Sequence, residues 1–327
     1  MRGAHPLTPP FLVIVGPTAV GKTAISLHLA RDFNGEIISA DSRQFYRGLD
    51  IGTAKATPAE RAAVPHHLLD ICEPDETLTL AEFQSLAYAA AAEITARRHL
   101  PIMVGGTGLY VRAVVEGYGI PRVPPDAALR ERLWVEAETQ GAEALHTRLA
   151  AVDPEAAASI DPRNVRRVVR ALEVYQRSGV PISVLQRKRP PPYRFLQVGL
   201  TRDRANLYAR IDARIRAMLA AGLVEEVRGL LEANVDPESE AMSGLGYRET
   251  VASLNGEIPS REELAREIGR NTRSFVRRQY NWFRLTDPSI HWFNLDEVGY
   301  DQVRAAVAAW LRLEGAEGAR GSSGADG

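Results

Sequence analysis

The sequence has 327 residues, 45% of them hydrophobic and 25% charged, with a formal net charge of −1. This composition is that of a globular protein, and the near-zero charge means that any nucleic-acid partner must be met by a segregated basic patch. The single cysteine, Cys72, excludes an internal disulfide framework and suits a reducing compartment. No apolar run is long enough to span a membrane, and Met1–Pro10 lacks an apolar signal segment. We therefore expect a cytoplasmic protein, with either two domains or one core and a large insertion.

The first predicted element is a buried strand over 11–15, which leads directly into a glycine-rich loop. Residues 16–23 match G-x-x-x-x-G-K-[ST], the spacing of loops that cradle phosphates, and a helical pattern follows over 24–31. A chance match in a turn is the alternative, but the flanking strand and helix argue against it. The sequence therefore predicts a phosphate or diphosphate site formed by Gly16, Pro17, Thr18, Ala19, Val20, Gly21, Lys22 and Thr23.

Within this loop, each polar residue type has a physical use. The two glycines let the backbone approach a ligand closely, and the backbone amides together with the helix dipole favour an anion. Lys22 supplies a mobile cation, and the Thr23 hydroxyl suits Mg²⁺. The sequence leaves open whether ATP competes for this loop.

Strands and helices alternate through the next hundred residues. We predict a strand over 36–40, a short strand over 67–71, a helix over 80–98 that begins with the capping box Thr79–Glu82, and a strand over 101–104. This alternation predicts an α/β fold, with a parallel sheet and helices on both faces.

The pattern changes to charged helices from Pro121 and returns to a strand over 195–200. Further helices across 205–234 and 262–285 and a last strand over 290–293 are expected. We therefore divide the chain into 1–120 (first part of the α/β core), 121–192 (helical insertion), 193–313 (core completion and basic helices) and 314–327 (disordered tail).

Two residues stand at the carboxyl ends of predicted strands, where open α/β sheets bind their ligands. Asp41 follows the second strand and could be a general base, a Mg²⁺ ligand or the N-cap of the next helix. Thr107 follows two glycines at the end of the strand over 101–104, and could bind a ligand or simply form a turn. A metal site at His66, His67 and Cys72 is disfavoured, because no second ligand pair follows at zinc spacing.

A second cationic element is predicted over 266–284. Arg266, Arg270, Arg273, Arg277 and Arg284 have helical spacing, and no Asp or Glu occurs from Ile268 to Thr286. We expect these guanidinium groups to lack carboxylate partners within the helix and to bind phosphates, with some of the interleaved aromatic residues stacking on bases.

Two further arginine groups are more ambiguous. Arg210 and Arg214 lie one helical turn apart and could either clamp an anion or pair with nearby acids. In the insertion, we expect Asp161 to cap a helix whose arginines at 163, 166, 167 and 170 form a solvated face.

Several of these segments together resemble the tRNA dimethylallyltransferase (tRNA isopentenyltransferase) family. The D-S-x-Q-x-Y…D-I-G-T-A-K and G-G-T-G-L-Y patterns are the specific ones, whereas the phosphate loop alone is shared with many families. In order, the matching blocks are GPTAVGKT from Gly16, DSRQFYRGLDIGTAK from Asp41, PHHLLDI from Pro65, VGGTGLYVRA from Val104, RALEVYQRSG from Arg170, LYARIDARIRAMLAAGLVEEV from Leu207, GLGYRE from Gly244 and RRQYNWFR from Arg277.

The resemblance implies a P-loop-kinase-like parallel sheet core with a helical insertion domain. It also implies transfer of a dimethylallyl group from dimethylallyl diphosphate to N6 of adenosine 37, beside the anticodon of tRNA, by a Mg²⁺-dependent, bacterial-type enzyme without the zinc-finger extension of some eukaryotic relatives. Asp41 would be the base, assisted by Thr107, and Arg210 or Arg214 would help to hold the diphosphate. The segments that would contact the anticodon stem-loop contain Asp41, Ser42, Arg43, Gln44, Arg130, Arg166, Arg167, Arg170, Gly246, Tyr247, Arg248, Arg277, Arg278, Gln279, Trp282 and Arg284.

Three other functions share parts of this pattern. A small-molecule or nucleoside kinase would use the same loop for phosphoryl transfer, but would not need the basic helix. A non-catalytic RNA-binding module would not need Asp41 at the mouth of the loop. A prenyltransferase acting on free adenine nucleotides would not need the insertion. We expect a monomer that binds tRNA and does not associate with membranes.

Overall fold

The computed structural model describes the backbone of residues 8–320 and the side chains of residues 8–312. The described chain forms two compact units. One comprises the residues up to Val115 together with those from Pro192 onward, and the other is Glu116–Pro191, where the sequence places the helical insertion at 121–192.

The first unit is built on a six-stranded sheet in which every pair of neighbours is parallel. Its strand order is β3-β2-β4-β1-β5-β6, so the predicted α/β fold is confirmed. The strands are β1 (Pro10–Val15), β2 (Gly35–Ser39), β3 (His66–His67), β4 (Leu100–Val104), β5 (Arg194–Thr201) and β6 (Ile290–Asn294).

The central strand β1 is buried on both faces, which shows that helices cover both sides of the sheet. Its residues Phe11 to Val15 are all fully buried. Alternate side chains belong to two different apolar clusters, Leu12 and Ile14 to one and Phe11, Val13 and Val15 to the other. Because side chains alternate across a strand, helices cover both faces of the sheet.

The helices fall into three groups along the chain. Before the insertion come α1 (Lys22–Asp32), α2 (Pro58–Ala63), α3 (Leu80–Ala96) and α4 (Gly108–Val115). The insertion contains α5 (Ala127–Gln140), α6 (Ala142–Val152), α7 (Pro154–Ser159), α8 (Val165–Ser178) and α9 (Ile182–Leu185). The first unit resumes with α10 (Arg204–Ala220), α11 (Leu223–Glu232), α12 (Tyr247–Leu254), α13 (Arg261–Trp282) and α14 (Tyr300–Arg320).

Some predicted boundaries are wrong, each for a local reason. The third strand ends at His67, because Leu68 and Asp70 have φ values of 60° and 55°, which no strand accommodates. The helical region 205–234 divides at Gly222, whose φ is 100°. Helix α13 ends at Trp282, so Arg284 lies beyond it. The tail predicted to be disordered from 314 is helical to Arg320, and residues 321–327 lie outside the described residues.

The second unit has its own apolar core, made by residues such as Leu133 of α5, Leu145 of α6 and Val168 of α8. The predicted N-cap of α8 is wrong. Asn164 accepts the Arg167 amide and begins the helix, whereas Asp161 binds the amide and guanidinium of Arg163.

Candidate active site

Three loops meet at one edge of the sheet because their strands are neighbours. The glycine-rich loop follows β1, the loop of residues 105–107 follows β4, and Asp41 follows β2, with β4 between the other two strands. Residues of all three loops line a cavity of about 980 Å³. The topology therefore brings the predicted phosphate loop, Asp41 and Thr107 together.

The phosphate loop depends on two glycines in the left-handed or neighbouring region of backbone space. Gly16 has a φ of 142°, and a Cβ added there would lie 2.4 Å from the Leu200 carbonyl oxygen. Gly21 has a φ of 116° and is the N-cap of α1, yet as a glycine it offers no side-chain acceptor to the helix. The first-turn amides of α1 therefore remain as donors for an anion at the positive end of the helix dipole.

The side chain of Lys22 folds back onto the backbone of the phosphate loop. Its ammonium group donates to the carbonyl oxygens of Gly16 (2.9 Å) and Pro17 (2.8 Å). Desolvation lowers the pKa of Lys22 to about 8, a shift that the carboxylate of Asp41 opposes and the charge of Arg214 increases. The side chains of Lys22, Asp41 and Arg214 are therefore close enough to interact electrostatically.

Asp41 is held in a turn, so the N-cap alternative is wrong. Its Oδ1 accepts the Arg43 amide at 3.0 Å, and residues 42–45 form turns with no helix after them. The next amide, that of Ser42, donates to Thr107 Oγ1 at 3.4 Å. Among the described residues, Asp41 Oδ2 has no hydrogen-bond partner. One carboxylate oxygen is thus fixed by the backbone while the other can take a proton.

Thr107 connects two elements of the site. Its carbonyl oxygen accepts the amides of Tyr110 and Val111 at the start of α4, while its hydroxyl accepts the Ser42 amide. The backbone of Thr107 therefore forms a turn, as the alternative predicts. Its side chain lies beside the loop that contains Asp41.

Arg210 and Arg214 of α10 both line the cavity. Arg210 Nε donates to the Ala19 carbonyl oxygen at 2.8 Å, and Arg214 Nη2 to the Thr53 carbonyl oxygen at 3.2 Å. Neither forms an ion pair with a described carboxylate, which contradicts the alternative that they pair with nearby acids. Their positive charges remain available to an anionic ligand.

The oxygen ligands around the cavity fit Mg²⁺. Thr23 is exposed in the first turn of α1 and lines the cavity, as does Asp41. Within the described residues, no three His, Cys, Asp or Glu side chains form a metal cluster. Hydroxyl and carboxylate oxygens such as those of Thr23 and Asp41 suit Mg²⁺, which keeps several waters and is held by one or two protein groups together with substrate phosphates.

The prediction that the arginines of α13 lack carboxylate partners within the helix is wrong for Arg266 and Arg270. Arg266 pairs with Glu263, Arg270 with Glu267, and Arg273 with Asp212 of α10. These acids lie just before Ile268 or on another helix, outside the stretch that contains no Asp or Glu.

Later in the same helix, Arg277 and Arg278 are exposed and have no carboxylate partner among the described residues. Arg278 lies over the Phe275 ring, and Arg284, beyond the helix, is also exposed. The cationic surface available to phosphates is therefore the end of α13.

Three residues predicted as tRNA contacts, Gly246, Tyr247 and Gln279, are buried, although all three line the cavity. Tyr247 is fully buried and donates to Glu226 Oε1 at 2.6 Å. Gln279 is 4% exposed and binds the backbones of Thr18 and Gly106.

Other proposed contacts near the cavity are accessible. Arg248 is exposed beside Glu249, and Trp282 is 37% exposed. Arg43 is partly exposed and binds the Glu240 carbonyl and the Ser243 hydroxyl. Ser42 and Gln44 are partly exposed at the cavity, whereas Gly246 is buried.

In the insertion, the four arginines that were predicted to contact tRNA divide into two pairs. Arg130 and Arg170 converge on Glu173, which has no exposed surface, with Arg130 donating at 2.8 and 2.9 Å and Arg170 at 2.5 Å. Arg166 and Arg167 are exposed. The first pair therefore neutralises a buried carboxylate, and the second presents free charge.

His67 has a partner on a neighbouring strand. Its Nε2 lies 2.6 Å from Glu36, which Arg97 and His99 also contact. The Arg97 hydrogen bonds lower the pKa of Glu36 to about 2. Cys72 is buried as a free thiol.

Sequence reasoning missed the residues that support the loops from a distance. Arg202, after β5, donates to the Val20 carbonyl at 3.0 Å. Glu226 of α11 accepts the amides of Asp50, Ile51 and Gly52. Their partners are backbone groups more than a hundred residues away, and no spacing rule reveals such contacts. The only available signal was that Glu226 lies inside a block that resembles the family.

Comparison with known proteins identifies the family. The IPP transferase family model matches residues 44–286, and an isopentenyl transferase model matches residues 10–73. A tRNA dimethylallyltransferase of Roseiflexus castenholzii is 57% identical over 84% of this chain and 90% of its own length. One from Thermomicrobium roseum is 48% identical over 94% of both chains. This chain belongs to the tRNA dimethylallyltransferase family.

Solved structures agree with this assignment. The tRNA isopentenylpyrophosphate transferase of Bacillus halodurans is 39% identical, with a TM-score of 0.69 over 95% of this chain and 98% of that one. A eukaryotic dimethylallyltransferase acting on tRNA, 24% identical with a TM-score of 0.79, shares the fold. Family membership supports prenyl transfer over the kinase and the non-catalytic module. No helix in the described part of the chain has the length and apolarity to cross a bilayer.

Proposed function

We propose that this protein transfers a dimethylallyl group from dimethylallyl diphosphate to N6 of adenosine 37 in tRNA, giving N6-(dimethylallyl)adenosine. The observation that carries the proposal is the meeting of a phosphate loop and a carboxylate in one cavity, in a chain that belongs to this family. Prenyl transfer needs both groups at once, one for the leaving group and one for the nucleophile.

The phosphate loop serves the leaving group. As the allylic C–O bond breaks, negative charge collects on the departing diphosphate. The first-turn amides of α1, Lys22 and the guanidinium groups of Arg210 and Arg214 lie where that charge develops and stabilise it. Lys22 leaves the carbonyl oxygens of Gly16 and Pro17 to bind the anion.

Asp41 serves the nucleophile. The lone pair of an adenine N6 is delocalised into the ring, which makes the amine a weak nucleophile. Asp41 takes the N6 proton as the C–N bond forms, and Thr107, through the Ser42 amide, holds the turn in which Asp41 lies. General-base catalysis of this kind contributes about 10²–10⁴-fold to the rate.

Mg²⁺, when bound, neutralises charge on the diphosphate oxygens, and the Thr23 hydroxyl is the protein group that would hold it. The target adenine leaves the stack of the anticodon loop to enter the cavity. Arg277, Arg278 and Arg284 then hold phosphates of the surrounding loop, and the exposed Arg166 and Arg167 of the insertion also bind phosphates of the tRNA. We further propose that the enzyme acts in the cytoplasm and as a monomer.

The decisive assay combines purified protein, Mg²⁺ and labelled dimethylallyl diphosphate with one of two acceptors, tRNA or AMP. We expect the label to enter tRNA at adenosine 37 and not to enter AMP. Transfer to AMP at a comparable kcat/KM would support the prenyltransferase of free adenine nucleotides. With ATP added to the same mixture, consumption of ATP without transfer of label would support the kinase.

A further inference from the structure

One buried side chain of α13 is bonded to two of the three catalytic loops. Gln279 Oε1 accepts the Thr18 amide at 2.9 Å, and its Nε2 donates to the Gly106 carbonyl oxygen at 3.1 Å. The side chain is 4% exposed. Both ends of the amide are therefore used, one on the phosphate loop and the other on the loop that contains Thr107.

Two glycines, one in the loop of residues 105–107 and one at the start of α4, fit this contact. A Cβ added at Gly106 would lie 2.2 Å from Gln279 Nε2, and one added at Gly108 would lie 2.3 Å from Trp282 Cγ. Arg112 of α4 also donates to the Trp282 carbonyl oxygen at 2.8 Å. The last turn of α13 therefore docks directly on the loop that leads into α4, and only glycine allows so close an approach.

The opposite face of this turn is cationic and exposed. Arg277 is exposed and lies outside the cavity lining, two residues before Gln279. One helical segment thus presents charge to an RNA backbone on one side and supports the catalytic loops on the other. Residues two apart do not share a helix face, so the two roles are separate in space.

We propose that Gln279 is a positioning residue of the transferase. It fixes the phosphate loop relative to Thr107 and Asp41, and it ties both to the RNA-binding helix without touching RNA itself. This inference rests on the proposed function for the reaction that Gln279 supports. Its effects on pyrophosphate and tRNA binding can be measured without turnover. Because the Thr18 amide is bonded to Gln279, the diphosphate is left to other amides of the phosphate loop and to those of α1.

The test compares Gln279→Ala with Arg277→Ala, two residues apart on the same helix. For each variant, calorimetry measures the Kd of inorganic pyrophosphate with Mg²⁺, a filter assay measures the Kd of tRNA at two salt concentrations, and steady-state kinetics give kcat and KM. In Gln279→Ala, the loss of two buried hydrogen bonds should raise the pyrophosphate Kd about 10-fold and lower kcat about 10- to 100-fold. Its tRNA Kd and salt dependence should stay within about 2-fold of the wild type.

Arg277→Ala should show the reverse pattern, with weaker tRNA binding and an unchanged pyrophosphate Kd. If Gln279→Ala weakened tRNA binding and left pyrophosphate binding intact, Gln279 would be an RNA contact and the proposal would be overturned. A wild-type protein that binds pyrophosphate but prenylates no tRNA would instead refute the proposed function alone.

Gly106→Ala keeps the proposal testable if Gln279→Ala does not fold. Its new Cβ would push against the Gln279 amide, so we expect the same pattern of weakened pyrophosphate binding and intact tRNA binding. When both variants fold, the double variant should lose less pyrophosphate affinity than the sum of the losses in the two single variants. The reason is that Gln279→Ala removes the atom with which the new methyl group collides. Full additivity would contradict a direct contact between the two residues.

Discussion

At the scale of single residues, the site combines groups that the sequence identifies with groups that only the fold brings together. Asp41 and Lys22 are predictable from their positions after strands, and both lie at the cavity. What the sequence could not show is how they are held. The turn around Asp41 depends on the amide of Arg43 and on Thr107, which lies on another strand's loop.

Replacing Asp41 with asparagine tests its role as a base. Asn can still accept the Arg43 amide and keep the turn, but it cannot take a proton from N6. We expect kcat to fall about 10²- to 10⁴-fold, with the tRNA Kd changed less than about 2-fold, because the phosphate contacts remain. Rapid-quench kinetics and filter binding measure the two quantities. An equal loss of both would favour a binding module over an enzyme.

The lowered pKa of Lys22 predicts how diphosphate binding depends on pH. Lys22 binds the anion only when it is charged, so raising the pH through its pKa of about 8 removes the favourable charge and weakens binding. Calorimetry of pyrophosphate binding between about pH 6.5 and about pH 9.5 should therefore show the Kd rising above about pH 8.

Lys22→Arg is the control for this pH dependence, since arginine stays protonated throughout the range and the titration of pyrophosphate itself is common to both proteins. The variant should lose the part of the pH dependence that belongs to the lysine. Identical pH profiles for the two proteins would contradict the assignment.

At the scale of elements, α13 shows why sequence patterns of charge mislead. Helical spacing correctly placed Arg266, Arg270, Arg273 and Arg277 on one helix. The inference that they lack carboxylate partners within the helix failed for Arg266 and Arg270, which pair with acids one turn upstream, and Arg273 pairs with Asp212 of α10. Compensation of charge depends on tertiary neighbours, which a window of sequence does not contain.

This division within α13 predicts opposite outcomes for two arginines. Arg277→Ala should weaken tRNA binding and reduce the salt slope by about one, as expected for the loss of one phosphate contact. Arg270→Ala, whose guanidinium already pairs with Glu267, should change neither quantity measurably. Filter binding over a series of salt concentrations measures both. A larger effect from Arg270 than from Arg277 would contradict the assignment of the RNA surface to the end of the helix.

Glu226 of α11 is a second residue that connects distant elements, because it binds residues 50–52 in the segment that follows Asp41. It accepts three consecutive amides, from Asp50 to Gly52, and the phenol of buried Tyr247. Glu226→Ala leaves these donors unpaired and should lower the free energy of unfolding by about 1–3 kcal/mol.

Glu225→Ala, on the same turn of α11, is the matched control and should change stability by less than about 0.5 kcal/mol. Urea denaturation compares the two variants. Equal stabilities would show that the loop does not depend on Glu226.

At the scale of the whole molecule, the architecture was predictable because its signals are local and periodic. Buried strands, capping boxes and the glycine-rich loop each follow from neighbouring residues, and the alternation of strands with helices indicates the parallel sheet. The missed features are those set by long-range contacts. They include the buried partner of Arg130 and Arg170, the burial of Tyr247, and the use of Gln279 as a brace between loops.

The central claim is that one cavity grips the departing diphosphate while Asp41 deprotonates an RNA amine. Its most direct test is a crystal structure with an anticodon stem-loop and an unreactive thio analogue of dimethylallyl diphosphate. We predict the diphosphate on the first-turn amides of α1 and the adenine N6 within hydrogen-bond distance of Asp41. An adenine stacked in its loop, or a diphosphate bound away from the glycine-rich loop, would contradict the account.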